Sequence, residues 1–127
     1  MKKTYLTIPL FALIVACGGG NEKKEETGAA TEQVVDLSSN PDYQKGLELI
    51  GKSDCLTCHK VSEKNIGPAY KDVAAKYENT EENVKMLAGK IIKGGQGVWG
   101  AIPMTPHTSL SEADAEQMVK YILLLKK

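Results

Sequence analysis

The alternation of apolar and polar positions is clearest toward the C-terminus. Ala115, Met118, Val119, Ile122 and Leu125 recur with the period of an α-helix that carries one apolar stripe. Ser111 stands before that stripe with Asp114 three residues on, a hydroxyl and an acid suited to the free N–H groups of a first turn. The pattern predicts a helix there. Glu81 to Ile92 carries a second helical pattern, stopped by Gly94-Gly95, and Tyr70 to Tyr77 a shorter one. Asn40-Pro41 reads as an N-cap followed by a proline at the first helical position, where its missing N–H leaves nothing unpaired. The helix it opens places Gly46, Leu47 and Ile50 on one side and ends near Gly51. No stretch alternates with a period of two between turn signals, so no strand is expected and the predicted class is all-α.

Residues 1 to 40 have a different character. Met1-Lys2-Lys3 is a positive start, and Leu6 to Ala16 is an apolar run broken by Thr7 and Pro9. That run is too short to cross a bilayer as a helix, which takes about 20 apolar residues, so it reads as an export signal. Ile14-Val15-Ala16-Cys17 resembles the lipobox of bacterial lipoproteins, which implies that Cys17 is acylated and becomes the first residue of the exported chain. A cleaved signal followed by an incidental cysteine is the plainer alternative. Gly18 to Asn40 is rich in Gly, Glu, Lys, Thr, Ala and Ser, with only Val34, Val35 and Leu37 as sizeable apolar residues. Such a segment buries too little surface to offset its ordering entropy and is expected to be a tether, with a reach of about 25–30 Å. The expected division is therefore 1–16 signal peptide, 17–40 lipidated flexible tether and 41–127 folded domain.

Length and charge narrow the function. A chain of 127 residues has room for one domain, and its 16 lysines face 16 acids with no arginine present. Removal of the signal takes Lys2 and Lys3 with it and leaves a slight acidic excess. Nucleic-acid binding needs a basic stripe to neutralise phosphate, so no nucleic-acid partner is expected. The folded part is small enough that a large apolar cofactor at its centre would relieve a shortage of core.

The chemistry lies in Cys55-Leu56-Thr57-Cys58-His59. Covalent attachment of a haem needs two thiols to add across its vinyl groups and an imidazole that reaches the iron from the same turn, and this spacing provides both. A zinc site would need further Cys or His ligands, and only His107 is left over. A thioredoxin-like pair would follow a strand, and none precedes Cys55. With His59 on one face of the iron, the other face needs a ligand. Met86 and Met118 fall at apolar positions of predicted helices, where methionine usually fills gaps. Met104 instead sits in Gly100-Ala101-Ile102-Pro103-Met104-Thr105-Pro106, a loop stiffened by prolines on both sides and able to present a thioether. His107 is the competing ligand, and a packing role for Met104 is the bland alternative.

Three stretches now carry a resemblance: the Cys55–His59 motif, Gly67-Pro68-Ala69-Tyr70-Lys71-Asp72-Val73-Ala74-Ala75-Lys76-Tyr77, and Gly95-Gln96-Gly97-Val98-Trp99-Gly100-Ala101-Ile102-Pro103-Met104. Together they make residues 41–127 similar to the short monohaem class I cytochromes c of bacteria, the kind that donate electrons to nitrite reductases and terminal oxidases. The resemblance implies a class I cytochrome c fold of several helices around one covalent haem c. It implies Met104 as the axial methionine, Pro68 as the carbonyl that accepts from the His59 imidazole, and Trp99 as an indole donor to a haem propionate. Where the family often has an asparagine, three residues past the methionine, this chain has His107. That histidine can keep a polar contact, sit in solvent or displace Met104, and a solvent-exposed ring is the expectation.

An iron held by His and Met has no open position, which implies a carrier of single electrons and not an enzyme. The partners implied are redox proteins (a reductase, an oxidase or a quinol-oxidising complex), met through a small, short-lived contact, with the membrane reached through the lipid on Cys17. A haem subunit docked permanently in such a complex is the alternative, and a gas-binding or peroxidatic protein would need a five-coordinate iron. Lys52, Lys60, Lys64 and Lys93 flank the motif and ligand loops and could form a basic rim toward an acidic partner.

Overall fold

The computed structural model describes residues 36–126; the signal segment, Cys17 and the tether as far as residue 35 lie outside the described residues. Five helices and one two-stranded sheet follow in the order α1 (Pro41–Gly51), α2 (Cys55–Cys58), α3 (Tyr70–Lys76), α4 (Glu81–Lys93), β1 (Gly95–Gly97), β2 (Gly100–Met104) and α5 (Glu112–Leu124). The helix starts are built as the residues dictate. The Asn40 carboxamide oxygen accepts from the Asp42 and Tyr43 amides, and the Thr80 hydroxyl accepts from Asn83. The Ser111 hydroxyl accepts from the Asp114 amide at 3.1 Å. Each such cap is worth about 1 kcal/mol. The last described residues of the expected tether are tied to α1, since the Asn40 amide donates to the Leu37 carbonyl and the Gln44 side chain to the Ser38 carbonyl.

The long C-terminal helix α5 is the scaffold, packing against α1, α3 and α4. Against α4 it forms a cluster of Val84, Ala88, Ala115, Val119 and Leu123; against α1 and α3, one of Ile50, Tyr70, Met118 and Tyr121. Full burial of the larger aliphatic side chains among these, Ile50, Met118, Val119 and Leu123, stabilises by roughly 1.5–3 kcal/mol each. Helices α1 and α5 cross at Gly46, where an added Cβ would stand 2.4 Å from the Tyr121 Cβ and 2.6 Å from the Gln117 carbonyl oxygen. Gln117 closes the same crossing by donating to the Asp42 carboxylate at 2.9 Å.

Two expectations are corrected. The class is helix-rich but not strictly all-α, because β1 and β2 pair antiparallel, Gly95 opposite Met104 and Gly97 opposite Gly100. The hairpin is exposed along nearly all of both strands, so neither face needs an apolar row and no period of two is written into it. Its turn instead uses Gly97 and Gly100 at φ 95° and 125°, values that side chains rarely adopt. Leu47, expected on the packed side of α1 with Gly46 and Ile50, is exposed.

Candidate functional site

Ser53 and Asp54 break the chain after α1, and Cys55 begins the single turn α2, so a helix and not a strand precedes the cysteine pair. The His59 amide donates to the Cys55 carbonyl and the Gly67 amide to the Cys58 carbonyl, which fold the motif back on the segment that follows it. The Asn65 side chain donates to the Thr57 carbonyl. Tyr70 and Lys71 then donate their amides to the Lys60 and Val61 carbonyls, fixing the start of α3 against the motif.

The imidazole of His59 is held on three sides. Nδ1 lies 2.8 Å from the Pro68 carbonyl oxygen, which can only accept, so Nδ1 carries the proton and Nε2 is left with a free lone pair. Tyr70 lies nearly parallel to the ring, centroids 5.5 Å apart. Gly67 provides the third side: a Cβ there would stand 2.4 Å from His59 Cε1 and 2.8 Å from Nδ1. Gly67 carries no signal of this role in the sequence. It has no left-handed φ to betray it, and only the approach of a ring eight residues earlier in the chain makes a side chain impossible.

Burial is the chief cause that raises the Tyr70 pKa above the ordinary tyrosine range. Burial likewise pushes the Cys55 thiol up. Tyr70 meets Tyr121 edge-on at 6.4 Å, and Tyr121 meets Tyr43 at 5.0 Å, so aromatic rings run from His59 into the α1–α5 packing.

On the other side, Met104 ends β2 half-buried. Its carbonyl lies where a Cβ on Gly94 would be, 2.5 Å away, with Pro106 3.2 Å from the same point. Gly94 itself has φ 75° and ψ −175°, a region essentially reserved for glycine. The Gln96 side chain ties the hairpin by donating to the Ala101 carbonyl at 2.7 Å. Trp99 is exposed on one side, with the Lys76 ammonium 5.6 Å from its ring centroid. Of the other methionines, Met118 is in the core and Met86 is exposed on α4. His107, expected in solvent, is mostly covered: its side chain is 20% exposed and its Nε2 lies 3.0 Å from the Asp54 carboxylate. The four rim lysines, Lys52, Lys60, Lys64 and Lys93, are all exposed, and Lys52 is paired with Glu48.

This donor set fits a haem. Two thiols on one turn and an imidazole with its coordinating nitrogen free are what covalent attachment and axial ligation require. Among the described residues no group of three His, Cys, Asp or Glu side chains is arranged to hold a metal ion, which leaves a zinc site without further ligands there. Leu56, Val61, Ile66, Val98, Trp99 and Ile102 are each more than a third exposed, and all six lie in the two segments that carry His59 and Met104. Apolar surface on that scale around candidate ligands is suited to being covered by a large apolar group. Among the described residues no helix is long and apolar enough to cross a membrane.

Comparison with known proteins agrees. The family described as cytochrome c matches residues 43–126. Cytochrome c-552 of Nitrosomonas europaea is 47% identical over 83 residues, 65% of this chain and 81% of that one. Cytochrome c-552 of Hydrogenobacter thermophilus is 46% identical over 79 residues, 62% of this chain and 80% of that one. The crystal structure of wild-type Nitrosomonas europaea cytochrome c552 superposes with a TM-score of 0.59 at 48% identity, covering 63% of this chain and 99% of that one.

Proposed function

The chain belongs to the cytochrome c family and carries one covalent haem c, and we propose that it works as a membrane-tethered carrier of single electrons in a respiratory chain. The observation that supports this most is the state of His59, the residue directly after Cys58: its Nδ1 is committed to the Pro68 carbonyl at 2.8 Å, so the ring offers Nε2 and nothing else. In this reading Cys55 and Cys58 would hold the haem by thioether bonds, and His59 Nε2 and Met104 sulfur would ligate its iron. Haem supplies an iron that alternates between Fe(III) and Fe(II).

The chain's own residues shape that exchange. The Pro68 carbonyl raises the basicity of His59 and fixes its ring plane, as partners of ligating histidines do. Thioether ligation by Met104 favours the reduced iron and raises the potential. Trp99 is the proposed donor to a propionate, its indole flanked by Lys76. With both faces of the iron filled, substrate has no position to occupy, which separates a carrier from an enzyme. In this reading the edge of the haem beside the thioether positions makes the brief contact with a redox partner, a reductase, an oxidase or a quinol-oxidising complex. Export and acylation of Cys17 would hold the domain at a membrane within reach of such partners.

Ferric holoprotein tests the ligand set, and cell fractionation tests the tether. The weak near-infrared sulfur-to-iron band should be present, lost in Met104→Ala and retained in His107→Ala; the reverse pattern would make His107 the ligand. Wild-type protein should fractionate with membranes and Cys17→Ser should be soluble with the same visible spectrum. Wild-type protein in the soluble fraction would leave an untethered carrier.

A further inference from the structure

Asp54 occupies the N-cap position of α2, where an aspartate normally accepts from the amides of the first turn, yet its carboxylate makes no capping bond. It reaches instead to a residue far along the chain, accepting from His107 Nε2 at 3.0 Å. Asp54 is 78% exposed and His107 20%, so the bond joins the rim of the haem-attachment turn to a largely covered ring. His107 Nδ1 is enclosed and has no hydrogen-bond partner among the described residues. A ring with one nitrogen left unpaired in this way is a poor choice for stability alone. The backbone of His107 is pinned as well: its amide donates to the Ile91 carbonyl near the end of α4, and its carbonyl accepts from Leu110. Between His107 and Met104 stand only Thr105 and Pro106, and Pro103 precedes the methionine. Pro106 fixes φ at one of the two intervening residues, so less of a displacement of His107 is absorbed before it reaches Met104.

We infer that His107 and Asp54 form a latch that positions Met104 by fastening the loop after the methionine to the residue that opens the haem-attachment turn. His107 and Asp54 are positioning residues in this scheme and touch neither the iron nor a substrate. The inference rests on Met104 being the axial ligand, and its scope is the ease with which that thioether leaves the iron. An added ligand must lift the loop to reach the metal, so every bond that fastens the loop opposes it.

The test is titration of purified ferric holoprotein with imidazole, followed by loss of the near-infrared band. Asp54→Ala and His107→Ala should each bind imidazole about two- to tenfold tighter than wild type, the range that one hydrogen bond sets. The double variant should match the tighter single variant, because both remove the same bond. Asp54→Asn, which keeps the accepting oxygen, should bind imidazole close to wild type, and the midpoint potential should fall in His107→Ala, which leaves the Asp54 charge in place. Far-UV helix content should be equal throughout, which a general loss of structure would not give. Unchanged imidazole affinity in Asp54→Ala, or additive effects in the double variant, would overturn the latch. Absence of the band from wild type would instead overturn the Met104 assignment, a separate failure.

Discussion

His59 and Met104 are proposed to face one another across the same iron, yet the chain holds them by different means. His59 sits one residue past α2 in a segment crossed by backbone bonds from Gly67, Tyr70 and Lys71, with its ring fixed by the Pro68 carbonyl, the Tyr70 face and the bare Gly67 backbone. Met104 ends an exposed hairpin held by a two-strand ladder, the Gln96 side chain, the Gly94 seat and the His107–Asp54 bond. The histidine side is over-determined by short-range contacts and anchored in the α3–α5 core. The methionine side depends on a few contacts that can be undone singly. A carrier gains from the difference, since a fixed imidazole sets the geometry while thioether strength stays adjustable in the loop.

The histidine side should break with the larger effect. Gly67→Ala puts a Cβ 2.4 Å from His59 Cε1, against a normal carbon contact of about 3.5–4.0 Å. The ring must tilt and release Pro68, so most of the protein should be recovered without haem or with an altered Soret band, measured as the ratio of haem to protein after purification. Near-normal loading would show that the seat is looser than the geometry implies.

Gly94→Ala should come next. Its backbone conformation alone costs a side chain about 1–3 kcal/mol. The added Cβ also meets the Met104 carbonyl at 2.5 Å. Haem should still be attached, because the His59 side is untouched, while the near-infrared band weakens at neutral pH and the thermal midpoint falls. A variant that lost haem altogether would erase the distinction between the two sides.

What the sequence disclosed follows the same division. Helices α1, α4 and α5 were legible because caps, stop glycines and apolar stripes are local signals: Asn40 and Ser111 make their bonds within one turn, and Gly94 ends α4. The stripe was less reliable for burial. In α5, Tyr121 and Leu123 are buried along with the expected Ala115, Met118 and Val119, whereas Ile122 and Leu125 are only partly covered, because the helix packs on α1, α3 and α4 and its buried arc is wider than one stripe. The hairpin was illegible because neither of its faces is buried. The haem motif announces itself through side-chain chemistry at fixed spacing. Gly67 and the His107–Asp54 bond do not, since one is a requirement for an absent atom and the other spans 53 residues.

The smallest effect separates the two sides by pH. Tyr70 is raised above the ordinary tyrosine value, chiefly by burial, and Tyr121 is raised by burial and by Tyr43. A raised phenol pKa means that the folded state keeps its proton where the unfolded chain, with an ordinary value of about 10, releases it. Above that pH the unfolded state binds fewer protons, so the stability these tyrosines contribute is complete below about pH 10 and is lost as the pH climbs toward the folded value. Tyr70→Phe should leave the ring stacked on His59 and cost less than about 1 kcal/mol at neutral pH. It should also make denaturant stability fall less steeply above pH 10 than in wild type, with a residual slope from Tyr121. Imidazole affinity at neutral pH should not change, because nothing on the Met104 side is altered. A Tyr70→Phe protein that bound imidazole as tightly as Asp54→Ala would mean that the two sides of the haem are coupled through the core and are not separately held.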